Sequence, residues 1–313
     1  MGRINLAFCD VFLIELRILI PFEMLELDEF LNWCDTKYTS APHCQCGAAC
    51  TNGSYCGGVQ TNCYQCIKRV HSYRNSKVHY NCDKMLYYYA LKHTYRFGAE
   101  IFFELWRLRN DIANWPDIYI ASIGCGPCSE LFGALSFWRT RGKSDALFHF
   151  RGFDTEPLWL PIMQQVCNCF NIADVLAVGQ DAFVNYELSQ ERIDIIVLNY
   201  MLSDMKKFHD AQYQSFLQSL ISLIKKKHPK YLLVNDIYLR VSLTASKELV
   251  TQLKQSGIGY KIWQGQYHHY NPSIGRWGNV IQKQSYAMND AVIVNKYAPF
   301  SEVNGIQTIV KFV

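Results

Sequence analysis

One stretch constrains this chain more than any other: Asp117-Ile118-Tyr119-Ile120-Ala121-Ser122-Ile123-Gly124-Cys125-Gly126-Pro127-Cys128-Ser129-Glu130. After Asp117 its first half is an uncharged run of β-formers, the pattern of a buried parallel strand. A glycine turn follows, and Leu131 to Trp138 reads as a helix. Strand, Gly-x-Gly and helix together make a nucleotide pocket beyond the carboxyl end of the strand, because glycine lets backbone approach a ligand closely. The variant excludes two common ligands. A dinucleotide fingerprint needs a third glycine near position 129. Ser129 stands there, followed by Glu130, whose charge would repel phosphate. A phosphate-binding loop of the Gly-Lys-Ser/Thr type is absent as well.

The pattern downstream is that of an α/β sheet. Phe148 to Phe153 forms a second strand ending at Asp154, with Glu156 as a rival carboxylate. Ala173 to Val178 is a third, ending near Asp181, and Arg192 to Leu198 a fourth, with Asn199-Tyr200-Met201-Leu202-Ser203-Asp204 at its mouth. Phe208 to Lys227 reads as a helix, Tyr231 to Asp236 as a fifth strand, and Ser242 to Ser256 as another helix. Tyr260 to Trp263, Ala291 to Val294 and Ile306 to Phe312 add further strands, and Gln264 to Met288 reads as an elaborated loop near the active face.

The segment Ile123 to Glu130 resembles the first motif of class I S-adenosylmethionine-dependent methyltransferases. Their cofactor joins an amino acid to a nucleoside and carries no phosphate. The resemblance covers residues 96–313 and implies a mainly parallel, seven-stranded α/β sheet with helices on both faces and an antiparallel hairpin at its end. It further implies that Ser122, Gly124, Cys125 and Gly126 lie against the methionine part of S-adenosylmethionine. Asp154 would accept the ribose hydroxyls, Asp181 would meet the adenine amino group, and Asn199 and Tyr200 would stand beside the reacting methyl. The Asn/Asp-Pro-Pro-Tyr signature of enzymes acting on exocyclic amines in DNA is absent, since both prolines are missing.

Residues 1–95 read as a separate helical and cysteine-rich module. Of thirteen cysteines in the chain, six fall between Cys44 and Cys66. Cys46-x3-Cys50 and Cys63-x2-Cys66 stand twelve residues apart. Two short thiolate pairs joined by a glycine-containing loop suit tetrahedral zinc. Cys44, Cys56, His71 and Cys82 remain alternative ligands, two zinc ions are conceivable, and an iron–sulfur cluster would take the same soft donors. Cys9, Cys34, Cys167 and Cys169 read as ordinary packing residues.

Leu6 to Ile20 is apolar, but Asp10, Glu15 and Arg17 interrupt it and no small-residue cleavage site follows. That pattern predicts neither a secretory signal nor a membrane span. Clustered cysteines without a signal point to a reducing, cytoplasmic setting, where they are metal ligands more often than disulfides. The net charge of +4 permits nucleic acid as a partner without requiring it. Three functions fit: a methyltransferase acting on RNA, with Lys68, Arg69, Arg74 and Lys77 gripping its backbone; one acting on a small molecule or protein beneath a zinc lid; and a methyltransferase-like scaffold without turnover.

Overall fold

A computed structural model describes residues 25–40, 63–64, 66–67, 82–170, 174–188, 191–268, 271–272, 296–297 and 304–313. Its centre is β1 (Ile118–Ile123). On one side of it lie β2 (Phe148–Phe153) and β3 (Asp174–Val178), and on the other β4 (Ile195–Asn199) and β5 (Tyr231–Ile237), all parallel. The sheet then turns antiparallel through β8 (Asn304–Phe312), which runs between β5 and β6 (Tyr260–His268). The two-residue β7 (Asn271–Pro272) closes the far edge, giving the order β3-β2-β1-β4-β5-β8-β6-β7. Seven long strands and the antiparallel finish match the expectation; the sheet is mixed, with a short eighth strand that the sequence did not disclose. The expected strand at Ala291 to Val294 lies outside the described residues.

Strand parity sorts the side chains. Ile118, Ile120, Ile195, Val197, Tyr231 and Leu233 join one buried cluster, whereas Ala121, Ile123, Ile196, Leu198, Leu232 and Val234 join another. This is the two-residue alternation of a sheet covered on both faces. The first face carries α1 (Leu25–Ser40), α2 (Asp83–Arg107), α3 (Ser129–Thr140) and α4 (Leu160–Asn168). The second carries α5 (Ala182–Leu188), α6 (Leu202–Phe208), α7 (Asp210–Lys227) and α8 (Arg240–Gln255). Parity places Ser122, Asn199, Asn235 and Gln307 on the first face, beneath α2 and α3.

Two glycines let α2 and α3 cross at backbone contact. A Cβ on Gly133 would stand 1.8 Å from the carbonyl oxygen of Gly98, and one on Gly98 would stand 2.9 Å from that of Ser129. Helix α1 is pinned to this layer by Arg139, whose Nη2 lies 2.6 Å from both Glu26 and Asp145. The boundary expected from sequence at 95/96 falls inside α2, which runs unbroken through it. Helix α6 occupies what reads in the sequence as the mouth of the fourth strand, and the helix expected from Phe208 begins instead at Asp210.

Candidate cofactor and acceptor site

β1 is flanked by β2 and β4, so the chain leaves it in opposite directions and opens a crevice at the strand ends. The turn that fills this crevice is held by backbone. Gly124 and Cys125 donate their N–H groups to the Phe153 carbonyl at 2.8 and 3.0 Å. Gly124 and Gly126 adopt left-handed φ values of 71° and 48°, as does Cys128 at 54°. A side chain on Gly124 would collide with Met201 at 2.6 Å. The left-handed φ is what requires the glycine, since the flexible Met201 side chain can shift to relieve the contact.

Asp154, one residue past β2, ties the two sides of the turn together. Its Oδ2 accepts from the Gly126 N–H at 2.8 Å and its Oδ1 from the Glu156 N–H at 2.9 Å. Burial pushes its pKa up to about 6, opposed by those backbone donors. Each carboxylate oxygen accepts more than one hydrogen bond, so capacity remains for a ligand hydroxyl. Asp181 also serves the fold locally. Its Oδ1 accepts from the Phe183 N–H at 2.7 Å and caps the start of α5. The expected role at the adenine would fall to its other oxygen.

These residues surround one cavity of about 430 Å³, within the range of small-ligand sites. Gly124, Cys125, Gly126, Asp154, Asp181, Asn199 and Tyr200 all line it. Ser122, expected among them, is fully buried behind the wall. The lining holds five carboxyls (Glu130, Asp154, Glu156, Asp181 and Asp204) and His209, with no lysine or arginine among the described residues. Tyr89, Phe97, Trp159, Tyr200 and Phe208 supply aromatic walls.

Tyr200 is fixed from several directions. It takes a left-handed φ of 57°, and its N–H donates to the Asn235 carbonyl at 2.7 Å. Its ring stacks on Phe97 with centroids 3.9 Å apart, and the Arg96 guanidinium lies 5.0 Å from the ring centre. Its hydroxyl donates to Glu100 Oε1 at 3.1 Å. Burial raises the Glu100 carboxyl to about 7, against the pull of Arg96 and Tyr200. Beside this lies a row of carboxamides in register across three strands, Asn199 with Asn235 and Asn235 with Gln307. Asn235 Nδ2 donates to the buried Glu104 at 3.0 Å.

Sequence reasoning misses three features here. Glu130 reads there as a charge that repels phosphate, but it is 1% exposed and burial raises its pKa to about 8. Cys125 and Cys128 form a pair with no counterpart in the sequence reading. Their sulfurs lie 3.6 Å apart in the turn, in space left by Gly152, where a Cβ would meet them at 3.0 and 3.4 Å. The Cys-x-x-Cys spacing was the available signal. Burial holds the Cys125 thiol well above its ordinary value, which keeps it protonated and poorly nucleophilic. Asp204, without a role in the sequence reading, lines the cavity, and burial raises its pKa to about 7.

The metal expectation stands differently. Cys46 and Cys50 lie outside the described residues. Cys63 and Cys66 are buried in the core, as is Cys82. Among the described residues no group of three or more His, Cys, Asp or Glu side chains is arranged to hold a metal ion. Nor is any described helix long and apolar enough to cross a membrane.

No protein-family model matches the sequence, and no curated protein matches it. Solved structures do align with it. A methyltransferase dependent on S-adenosylmethionine from Archaeoglobus fulgidus shares 16% identity over 72% of this chain and 99% of its own, with a TM-score of 0.38. The magnesium protoporphyrin IX methyltransferase of Synechocystis, with bound S-adenosylmethionine, shares 12% identity over 79% of this chain and 90% of its own, at 0.38. The fibrillarin pre-rRNA processing protein of Methanococcus jannaschii shares 13% identity over 63% and 67%, at 0.37. At such identities and scores the likeness carries no weight for activity, which rests on the chain's own residues.

Proposed function

We propose that this protein is an S-adenosylmethionine-dependent methyltransferase. The observation that carries the reading is the chemistry of the cavity: a glycine turn with room for backbone approach, a carboxylate at the tip of β2, and a described lining with five carboxyls and no lysine or arginine. Such a site opposes the phosphates of a dinucleotide or nucleoside triphosphate and suits a phosphate-free nucleoside that carries positive charge. Gly124 and Gly126 fit the amino acid part, Asp154 the ribose and Asp181 the adenine edge. Ser122 supports the turn from behind.

When bound, the cofactor supplies a methyl group on a sulfonium, open to in-line displacement by a nucleophile. The protein's share is positioning and exclusion of water. Asn199 and Tyr200 border the cavity at the end of β4, and the aromatic walls suit a planar acceptor. We propose an acceptor nitrogen on such a ring, in RNA or in an aromatic small molecule. Among the described residues the Asn199 Oδ1 lacks a hydrogen-bond partner, and it is available to orient an N–H donor. A zinc site drawn from Cys46, Cys50, Cys63 and Cys66 is also proposed, supported by the thiolate spacing and the burial of its second pair.

Methyl-labelled S-adenosylmethionine, incubated with the protein and either total RNA or a small-molecule extract, tests the activity. Label should enter one of the two pools, and Asn199→Ala should reduce transfer by about tenfold to a hundredfold, the effect of roughly one to three kcal/mol of lost orientation, while binding cofactor normally. Cofactor binding with no transfer to either pool, or to protein, favours the scaffold reading instead.

A further inference from the structure

Cys125-Gly126-Pro127-Cys128 makes the turn between β1 and α3. Both cysteines are free thiols, and the Cys128 Sγ donates to the Cys125 Sγ at 3.6 Å. Backbone as well as side chains hold the pair together. The Cys128 N–H donates to the Cys125 carbonyl at 2.8 Å, so the four residues form a hydrogen-bonded turn. Such a turn keeps its end Cα atoms within about 7 Å, and disulfides usually span about 4.4–6.8 Å between Cα atoms. The sulfurs face Gly152 of β2, where a Cβ would stand 3.0 Å from one and 3.4 Å from the other. The glycine therefore leaves the room in which side-chain rotation can bring them to the S–S distance of about 2.05 Å.

The two thiols differ in access. Cys125 lines the cavity, whereas Cys128 is fully buried behind it. A strand followed by Cys-x-x-Cys at the start of a helix is also the arrangement of thiol–disulfide oxidoreductases, whose first thiol has a lowered pKa and is partly exposed. Here burial raises the Cys125 thiol, and at 2% exposure it offers no surface to a protein disulfide. A small oxidant inside the cavity can still meet its sulfur.

We propose that Cys125 and Cys128 form a reversible disulfide when a hydroperoxide enters the empty cavity, and that bound cofactor shields them. The shielding rests on the methyltransferase reading above; the disulfide does not. The Cys125 sulfur attacks one peroxide oxygen, the O–O bond breaks, and the thiol's proton ends on the departing alkoxide, leaving a sulfenic acid. The Cys128 sulfur then attacks the Cys125 sulfur. An S–S bond forms, and the hydroxyl leaves as water with the Cys128 proton. In sum two thiols lose two electrons and two protons, and the hydroperoxide becomes an alcohol and water. Burial keeps Cys125 protonated, so the first step is slow, while the second joins sulfurs already in contact. The pair therefore records sustained exposure of an unoccupied site to oxidant.

Excess hydrogen peroxide, applied for hours to the folded wild-type protein, tests this. Free thiols are then alkylated before digestion with trypsin. Asn110 to Arg139 is one tryptic peptide that holds these two cysteines and no other. It should lose two hydrogens and take no alkyl group, and dithiothreitol should restore both thiols. In Cys128→Ser the reaction should stop at a Cys125 sulfenic acid that dimedone traps. S-adenosylmethionine at about a hundred times its Kd leaves roughly one site in a hundred empty and should slow the linkage about a hundredfold. Absence of the linkage in the ligand-free protein overturns the inference. So does a Cys125 sulfinic acid beside a free Cys128, or a linkage of Cys128 to its neighbour Cys167 instead. Linkage at an equal rate in the cofactor-saturated protein overturns the route through the cavity. Failure of the folded protein to bind S-adenosylmethionine overturns the methyltransferase reading and the shielding with it, and the ligand-free reaction then decides the disulfide alone.

Discussion

Gly133→Ala is expected to destabilise the protein by about 3 kcal/mol or more, the upper end of overpacking penalties. The added methyl would sit 1.8 Å from the Gly98 carbonyl oxygen and 2.7 Å from its carbon. Both are backbone atoms of a neighbouring helix, so no rotamer change relieves the contact. Helices α2 and α3 would have to separate, opening the cluster that holds Phe102, Phe132 and Phe137. For a chain of this size, with an unfolding entropy of about 2.1 cal/mol/K per residue, the loss should lower Tm by roughly 5 °C, read by circular dichroism. Gly142→Asn is the matched control. Its Cβ would meet nothing within 4 Å, and asparagine tolerates the left-handed φ of 66° found there. A Gly133→Ala protein that melts with the wild type would show that the two helices do not cross at these glycines.

Asp154→Ala is expected to weaken S-adenosylmethionine binding by about a hundredfold. Two charge-assisted hydrogen bonds to the ribose, at about 1.5 kcal/mol each, account for roughly 3 kcal/mol, and about 1.4 kcal/mol is a factor of ten. The same change removes the acceptors of the Gly126 and Glu156 N–H groups, so part of the loss reflects a slackened turn. Asp154→Asn separates the contributions. It preserves shape and one acceptor oxygen, but sets an amide donor against one of the two backbone donors, and an intermediate loss should follow. A change below about threefold in Asp154→Ala, less than one ordinary hydrogen bond, would remove Asp154 from the cofactor site.

What the sequence disclosed followed from local rules. The β-forming run before Gly124 and the glycines after it mark the crevice, because strand period and turn conformation are properties of neighbouring residues. Asn199 and Tyr200 fall at the strand mouth for the same reason. Asp154 is pointed to by the family resemblance and not by its spacing from Gly126, which is long. The burial of Glu130 escapes such reading because it depends on the rotation of α3 against β1 and β4, which no nearby residue records. The crossing of Gly98 with Gly133 joins positions 35 residues apart and has no periodic trace. Tyr200 takes its left-handed conformation from tertiary contacts with Phe97, Glu100 and Asn235, and sequence offers no sign of it. Asp181 shows the limit of reading by position: an aspartate after a strand both borders the cavity and caps the next helix.

The most direct test is an equilibrium titration of the folded wild-type protein with S-adenosylmethionine and, separately, with ATP and NAD. A cavity whose described lining holds five carboxyls and no basic side chain predicts saturable binding of S-adenosylmethionine, with a Kd on the order of micromolar and no binding of the phosphate-bearing nucleotides. Binding of ATP or NAD in place of S-adenosylmethionine would contradict the methyltransferase reading.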